Sequence, residues 1–205
     1  MEIKLLLILV VAAFALGACP FSIWIGRWFL KKDVRDYGDA NPGAWNVFLA
    51  GGHKAGWLAL FLDIAKGVPI VALASLFFDL PMPAVFTVGI SAILGHAFSP
   101  LLRFRGGKAV AVTYGVLVAL PQREIFVLMA MFMFLGFLFI EVRAWIIMLG
   151  PLGSLIYFLI TGTTSAELFF LLAIILVFTI KNYPDLRTKP GHQGIVIRWL
   201  YTIKR

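Results

Sequence analysis

Long apolar runs separated by short polar stretches set the rhythm of this chain. Segments 3–26, 55–78, 84–102, 109–120, 124–140, 144–161 and 166–180 carry almost no charge. A helix of about 20 apolar residues spans the roughly 30 Å of bilayer hydrocarbon, and shorter runs fit inside a bundle. Backbone groups in lipid must bond within their own segment, and the period-two alternation of a membrane barrel is absent, so the runs predict helices. The expected fold class is all-α: a single integral membrane domain over residues 1–205 with about seven transmembrane helices.

Composition agrees. With 61% hydrophobic and 14% charged residues and a mean hydropathy of +0.97, 205 residues cannot hide their apolar side chains inside a soluble globule. Charge then orients the bundle. Arg27, Lys31, Lys32, Arg35 and Lys54 flank the first loop, Arg103, Arg105 and Lys108 fill the third, and Arg143 lies in the fifth. Lys181, Arg187, Lys189, Arg198, Lys204 and Arg205 lie in the tail, whereas the opposite side has only Lys4 and Arg123, and Lys66 falls inside a span. Cytoplasmic loops collect Lys and Arg, so the N-terminus is expected outside and the C-terminus in the cytoplasm.

The net charge of +8 sits at membrane boundaries, which points to anionic headgroups as partners and not to nucleic acid. The single Cys19 excludes an intramolecular disulfide and a Cys-based metal cluster. Leu16-Gly17-Ala18-Cys19 resembles the end of a lipoprotein signal. However, cations downstream of the run favour an uncleaved span.

Three polar stretches, 33–54, 95–108 and 181–192, fall on the expected cytoplasmic side. In the second, Arg105-Gly106-Gly107-Lys108 sets two glycines among cations. Adjacent glycines can turn their N–H groups toward one point, and a helix starting near Lys108 would add its dipole, which suits phosphate. No Gly-x-x-x-x-Gly-Lys-Ser/Thr loop is present, and an ordinary positive-inside turn has the same composition. In the first stretch, Gly38 and Gly43 permit tight turns, while Asn41 and Asn46 can donate and accept beside Arg35 and Asp39. Asp63 and Lys66, three residues apart within a span, are expected to pair on one helix face as structural support. The third stretch, Lys181-Asn182-Tyr183-Pro184-Asp185, is basic and proline-interrupted and suits a headgroup anchor.

Taken together, these stretches resemble the acyl-phosphate-dependent glycerol-3-phosphate acyltransferases of bacterial membranes over nearly the whole chain. The family's Pro-Phe matches Pro20-Phe21, and its Gly-Ser-Gly-Asn-x-Gly-Ala-Thr-Asn matches Gly38, Asn41, Gly43, Ala44 and Asn46. Lys54-Ala55-Gly56, Leu62-Asp63-Ile64-Ala65-Lys66-Gly67, Gly95-His96-Ala97-Phe98 and Phe104-Arg105-Gly106-Gly107-Lys108-Ala109-Val110-Ala111 follow in family order. The resemblance implies acyl transfer from acyl phosphate to the 1-hydroxyl of glycerol 3-phosphate, giving lysophosphatidate and phosphate. It implies no metal and no other cofactor, and a multi-pass location in the bacterial plasma membrane. The residues expected in the chemistry are Lys108, Asn41 and His96. Those expected on substrate or phosphate are Arg105, Gly106, Gly107, Gly43, Asn46, Arg35, Asp39, Lys181 and Asn182. Oligomeric state is not legible.

The chain departs from the family pattern at several of these positions. Ser, Gly and Thr of the first motif become Asp39, Ala40 and Trp45, and an Arg slightly downstream becomes Leu49. The Thr after Val-Ala is Val112, with Thr113 next to it; the third motif keeps only Lys181-Asn182-x-x-Asp185, and its closing Glu aligns with Gly194. These changes keep two alternatives open: a catalytically lapsed homologue that binds lipid or a partner, and a small membrane transporter.

Overall fold

The computed structural model describes residues 2–191, and among them every regular element is helical. His192, Gly194 and the last cations of the tail lie outside the described residues. Each of the seven apolar runs is helical, and five stretches are long and apolar enough to cross a membrane: Ile3–Leu30, His53–Phe77, Met82–Leu102, Arg143–Thr161 and Ser165–Leu186. The chain is an integral membrane protein. Large apolar side chains such as Ile3, Leu76, Phe77 and Ile160 are at least three-quarters exposed, as a lipid-facing surface requires.

The helices group into two compact units, one ending at Pro121 and the other starting at Gln122. The first opens with α1 (Glu2–Ala18). Pro20 lacks an N–H and disfavours helix in the residue before it, so α2 (Phe21–Ile25) starts afresh and continues into a π-turn over Gly26–Leu30. Lys31, at φ 57°, ends it in the left-handed region.

The polar stretch that follows is more ordered than a connecting loop. It holds a 3₁₀ turn at Val34–Asp36 and a short helix, α3 (Ala44–Leu49), which the sequence reading did not anticipate. The reason is apolar anchoring. Val34 and Val47 are fully buried in a cluster with Ile23, Ile25 and Ala59, so the stretch is pinned to the membrane helices beneath it.

Next come α4 (His53–Ala65), α5 (Pro69–Ala72) with a π-turn at Leu73–Phe77, α6 (Met82–Ala97) and α7 (Val110–Ala119). Helices α1 and α6 pack closely because glycine removes the side chain at their crossing: a Cβ on Gly17 would collide with the Ala92 carbonyl, and one on Gly95 with that of Phe14. Two hydroxyls reinforce the pair, Ser91 donating to the Val10 carbonyl at 2.7 Å and Ser99 to the Ala18 carbonyl at 2.6 Å.

The second unit is built from α8 (Arg123–Phe139), α9 (Arg143–Thr161) and α10 (Ser165–Leu186). Thr164 and Glu167 form a reciprocal capping box at the start of α10, satisfying N–H groups the helix leaves open. At the far end the Trp145 indole donates to the Thr188 carbonyl at 2.8 Å, tying the tail to α9.

Candidate active site

The site grows out of two chain segments in the first unit, the 33–46 stretch and the 95–109 turn. Asp33 organises the start of the former. Its carboxylate accepts from the Arg35 backbone N–H at 3.1 Å, from Arg35 Nε at 2.9 Å and Nη2 at 2.6 Å, and from Arg27 Nη2 at 2.9 Å. Hydrogen bonds from Arg35 outweigh burial and, with Arg27, hold the Asp33 carboxyl far below the usual carboxylate range; Arg35 is raised in turn. Arg35, expected near substrate phosphate, is thus held by Asp33.

Beyond this clamp the chain turns through Gly38 (φ 58°) and Ala40 (φ 58°). At Gly38 a Cβ would sit 2.5 Å from Asn46 Oδ1 and 2.7 Å from Leu49 Cδ1, so only glycine fits under α3. Ala40 stands where the family pattern has glycine, and it adopts the left-handed conformation that glycine accepts freely.

The turn aims Asp39 at Lys108. Lys108 Nζ lies 2.8 Å from Asp39 Oδ2, while Asp39 Oδ1 accepts from the Asn41 N–H at 3.2 Å and from Asn46 Nδ2 at 3.1 Å. Asn46, 1% exposed, also donates to the Asn41 carbonyl at 2.9 Å. Burial pushes the Asp39 carboxyl up, but the Lys108 ammonium and the two asparagine donors prevail and leave it below its ordinary value. The cation that neutralises Asp39 is therefore Lys108, while Arg35 is engaged with Asp33.

The Gly106-Gly107 turn rests on His96. The Gly107 N–H donates to the His96 carbonyl at 3.1 Å; a Cβ at Gly106 would strike that carbonyl, and one at Gly107 would strike His96 Nε2. The His96 ring is 7% exposed, and its Nδ1 lies 3.9 Å from Asp63 Oδ1. Asp63 is in turn 2.7 Å from Lys66 Nζ and accepts from Ser22 Oγ at 2.6 Å, and Lys66 donates to the Cys19 carbonyl at 2.8 Å. The i,i+3 pair expected from sequence forms. It belongs to a buried network that reaches the glycine turn through His96.

Arg105 stands elsewhere. It lines a cleft of about 1120 Å³ with Arg27, Arg35 and Arg103. Lys181 and Asn182 lie in α10 of the second unit, where the buried Asn182 amide donates to the Phe178 carbonyl at 2.8 Å. The sequence did not single out Ser22 and gave Asp63 no link to the turn, because partners 41 and 33 residues apart leave no local pattern. No group of metal-ligating side chains occurs among the described residues.

Fold and site together define an all-helical integral membrane protein with a lysine and a glycine turn facing a second polar turn. The chain belongs to the glycerol-3-phosphate acyltransferase family, whose family model matches residues 7–188. A glycerol-3-phosphate acyltransferase of Latilactobacillus sakei is 35% identical over 204 residues, covering 98% of this chain and 96% of the relative. One from Lactococcus lactis is 38% identical over 134 residues, 65% of this chain and 62% of that protein, so the chain matches under two-thirds of this relative's length. Among solved structures, the integral membrane glycerol 3-phosphate acyltransferase PlsY (YgiH) in its glycerol 3-phosphate form aligns at TM-score 0.80 and 25% identity, covering 98% of this chain and 99% of that one. Its lysophosphatidic acid form aligns at 0.78 and 26%.

Proposed function

We propose that this protein acylates the 1-hydroxyl of glycerol 3-phosphate from acyl phosphate in a bacterial plasma membrane, with Lys108 and the Gly106-Gly107 backbone at the centre of the site. The observation that carries this reading is the Lys108 ammonium, already holding an anionic oxygen at 2.8 Å beside the glycine turn. A phosphate oxygen makes the same charge-assisted contact.

In the reaction the acceptor oxygen bonds to the acyl carbon while the bond from that carbon to the phosphate oxygen breaks. Phosphate leaves with the electron pair, and the hydroxyl proton ends on it. The protein's task is to hold two phosphorylated reactants in line and to neutralise charge on the carbonyl and the leaving phosphate. Lys108 supplies the charge, with Asn41 and Asn46 orienting the polar turn opposite it. His96 is a positioning residue, since its ring supports the Gly107 backbone. Gly43 serves the same turn: a Cβ there would lie 2.7 Å from Asn41 Nδ2.

In this reading the 33–54 and 95–108 stretches face the cytoplasm. A second reading, a lapsed homologue that only binds, is favoured by one observation: Asp39 occupies the lysine that a substrate phosphate needs. Turnover separates the two. Purified protein given labelled glycerol 3-phosphate should form labelled lysophosphatidate with acyl phosphate and not with acyl-CoA. No product from either donor, with the protein folded, leaves the binding reading.

A further inference from the structure

We propose that the cleft beside the Lys108 site binds the phosphate head of a membrane amphiphile, with its chain lying along Trp24, Leu101 and Leu102. The cleft, about 1120 Å³, is lined by Arg27, Arg35, Arg103 and Arg105 against Asp33 and Asp36, leaving two positive charges in excess. Arg27 and Arg35 are engaged with Asp33 at 2.9 and 2.6 Å. Arg103 and Arg105 have no side-chain hydrogen bond or ion pair among the described residues. The surplus charge is therefore theirs, and a guanidinium fork suits phosphate oxygens.

Backbone geometry holds them there. Arg103 (φ 53°) and Phe104 (φ 63°) are consecutive non-glycine residues in the left-handed region, a costly conformation that places the two arginines on one cleft. Their apolar surroundings select the rest of the ligand. Trp24, Leu101 and Leu102 line the cleft, and Leu101 is 62% exposed. Free phosphate would leave most of this volume wet, since it exceeds the roughly 300–1000 Å³ of a site for a drug-sized ligand. An anionic head with the first part of an acyl chain matches both the charge and the floor. That head belongs to a bilayer phospholipid, distinct from the reactants at Lys108. The proposal does not depend on turnover at Lys108.

Trp24 provides the readout. In phosphatidylcholine nanodiscs, dibrominated phosphatidylglycerol should quench the Trp24 component more strongly than dibrominated phosphatidylcholine, and Trp24→Phe should remove the difference. Arg103→Gln should weaken the preference for the anionic lipid roughly fivefold, the effect expected of one cation near an anionic lipid. Unbrominated alkyl phosphonate, a stand-in for the single-chain phosphates of the reaction, should not relieve this quenching; full relief would make the cleft part of the reactant site and overturn the proposal. Equal quenching by the two brominated lipids, or an unchanged preference in Arg103→Gln, overturns the proposal.

Discussion

The Asp39 carboxylate sits 2.8 Å from the Lys108 ammonium, so the one acidic side chain added to the first motif is bonded to the cation of the second. A substrate phosphate must take Lys108 over from it. Asp39 is 40% exposed, so its pull is screened to about 1 kcal/mol. Asp39→Ser should therefore lower the KM for glycerol 3-phosphate roughly fivefold. Adding Leu49→Arg, which places a guanidinium where the Leu49 side chain packs over Gly38, should lower it further. A KM that rises in the double variant refutes this account of the pair.

Lys108→Ala should reduce turnover about a hundredfold or more, because charge on the leaving phosphate loses its neutralising partner. Lys31→Ala, at the exposed end of the π-turn, should do little. Equal and small losses from both would make the turn an ordinary basic loop.

The two glycines of the turn fail for different reasons. Gly107→Ala collides with the His96 ring, whereas Gly106→Ala collides with the His96 backbone carbonyl. Removing the ring with His96→Ala should rescue part of the activity lost in Gly107→Ala and none of that lost in Gly106→Ala. A double-mutant cycle with no coupling at Gly107 would detach His96 from the turn.

Ala40→Gly should stabilise the protein by about 1 kcal/mol, since glycine relieves the left-handed strain at φ 58°. The check is thermal unfolding in detergent, and an unchanged or lower Tm counts against the strain. Acid should act on the same stretch. Asp33 and Asp39 are both held below their ordinary value, so their contribution to stability is complete above the unfolded value near 4 and is lost as pH falls through the lower folded values. Asp33→Asn should lower Tm at neutral pH and flatten its acid limb; an acid limb as steep as the parent's would contradict the clamp.

Orientation is testable in whole cells. Cysteines introduced at the exposed Phe104 and Thr188 should be shielded from an impermeant thiol reagent, and one at Thr163 should label. Labelling at Phe104 reverses the topology.

Hydropathy by itself determined that this is an all-helical membrane protein and where its apolar helices fall, because lipid forces every spanning backbone to bond within its own segment. The order of Gly38, Asn41, Asn46, His96, Gly106, Gly107 and Lys108 was equally legible, since turns and anion contacts demand particular residue types. The partners were not. Arg35 has Asp33, Asp36 and Asp39 close by in sequence whereas Lys108 has no acid near it, and only the fold, which turns the chain at Gly38 and Ala40, brings Asp39 to Lys108 while Arg35 returns to Asp33. Helix α3 escaped because its anchors, Val34 and Val47, face Ile23 and Ala59 from other elements. Likewise Ser22, Asp63 and His96 come from three helices, and their meeting under the glycine turn is set by how closely those helices pack, a quantity no local pattern encodes.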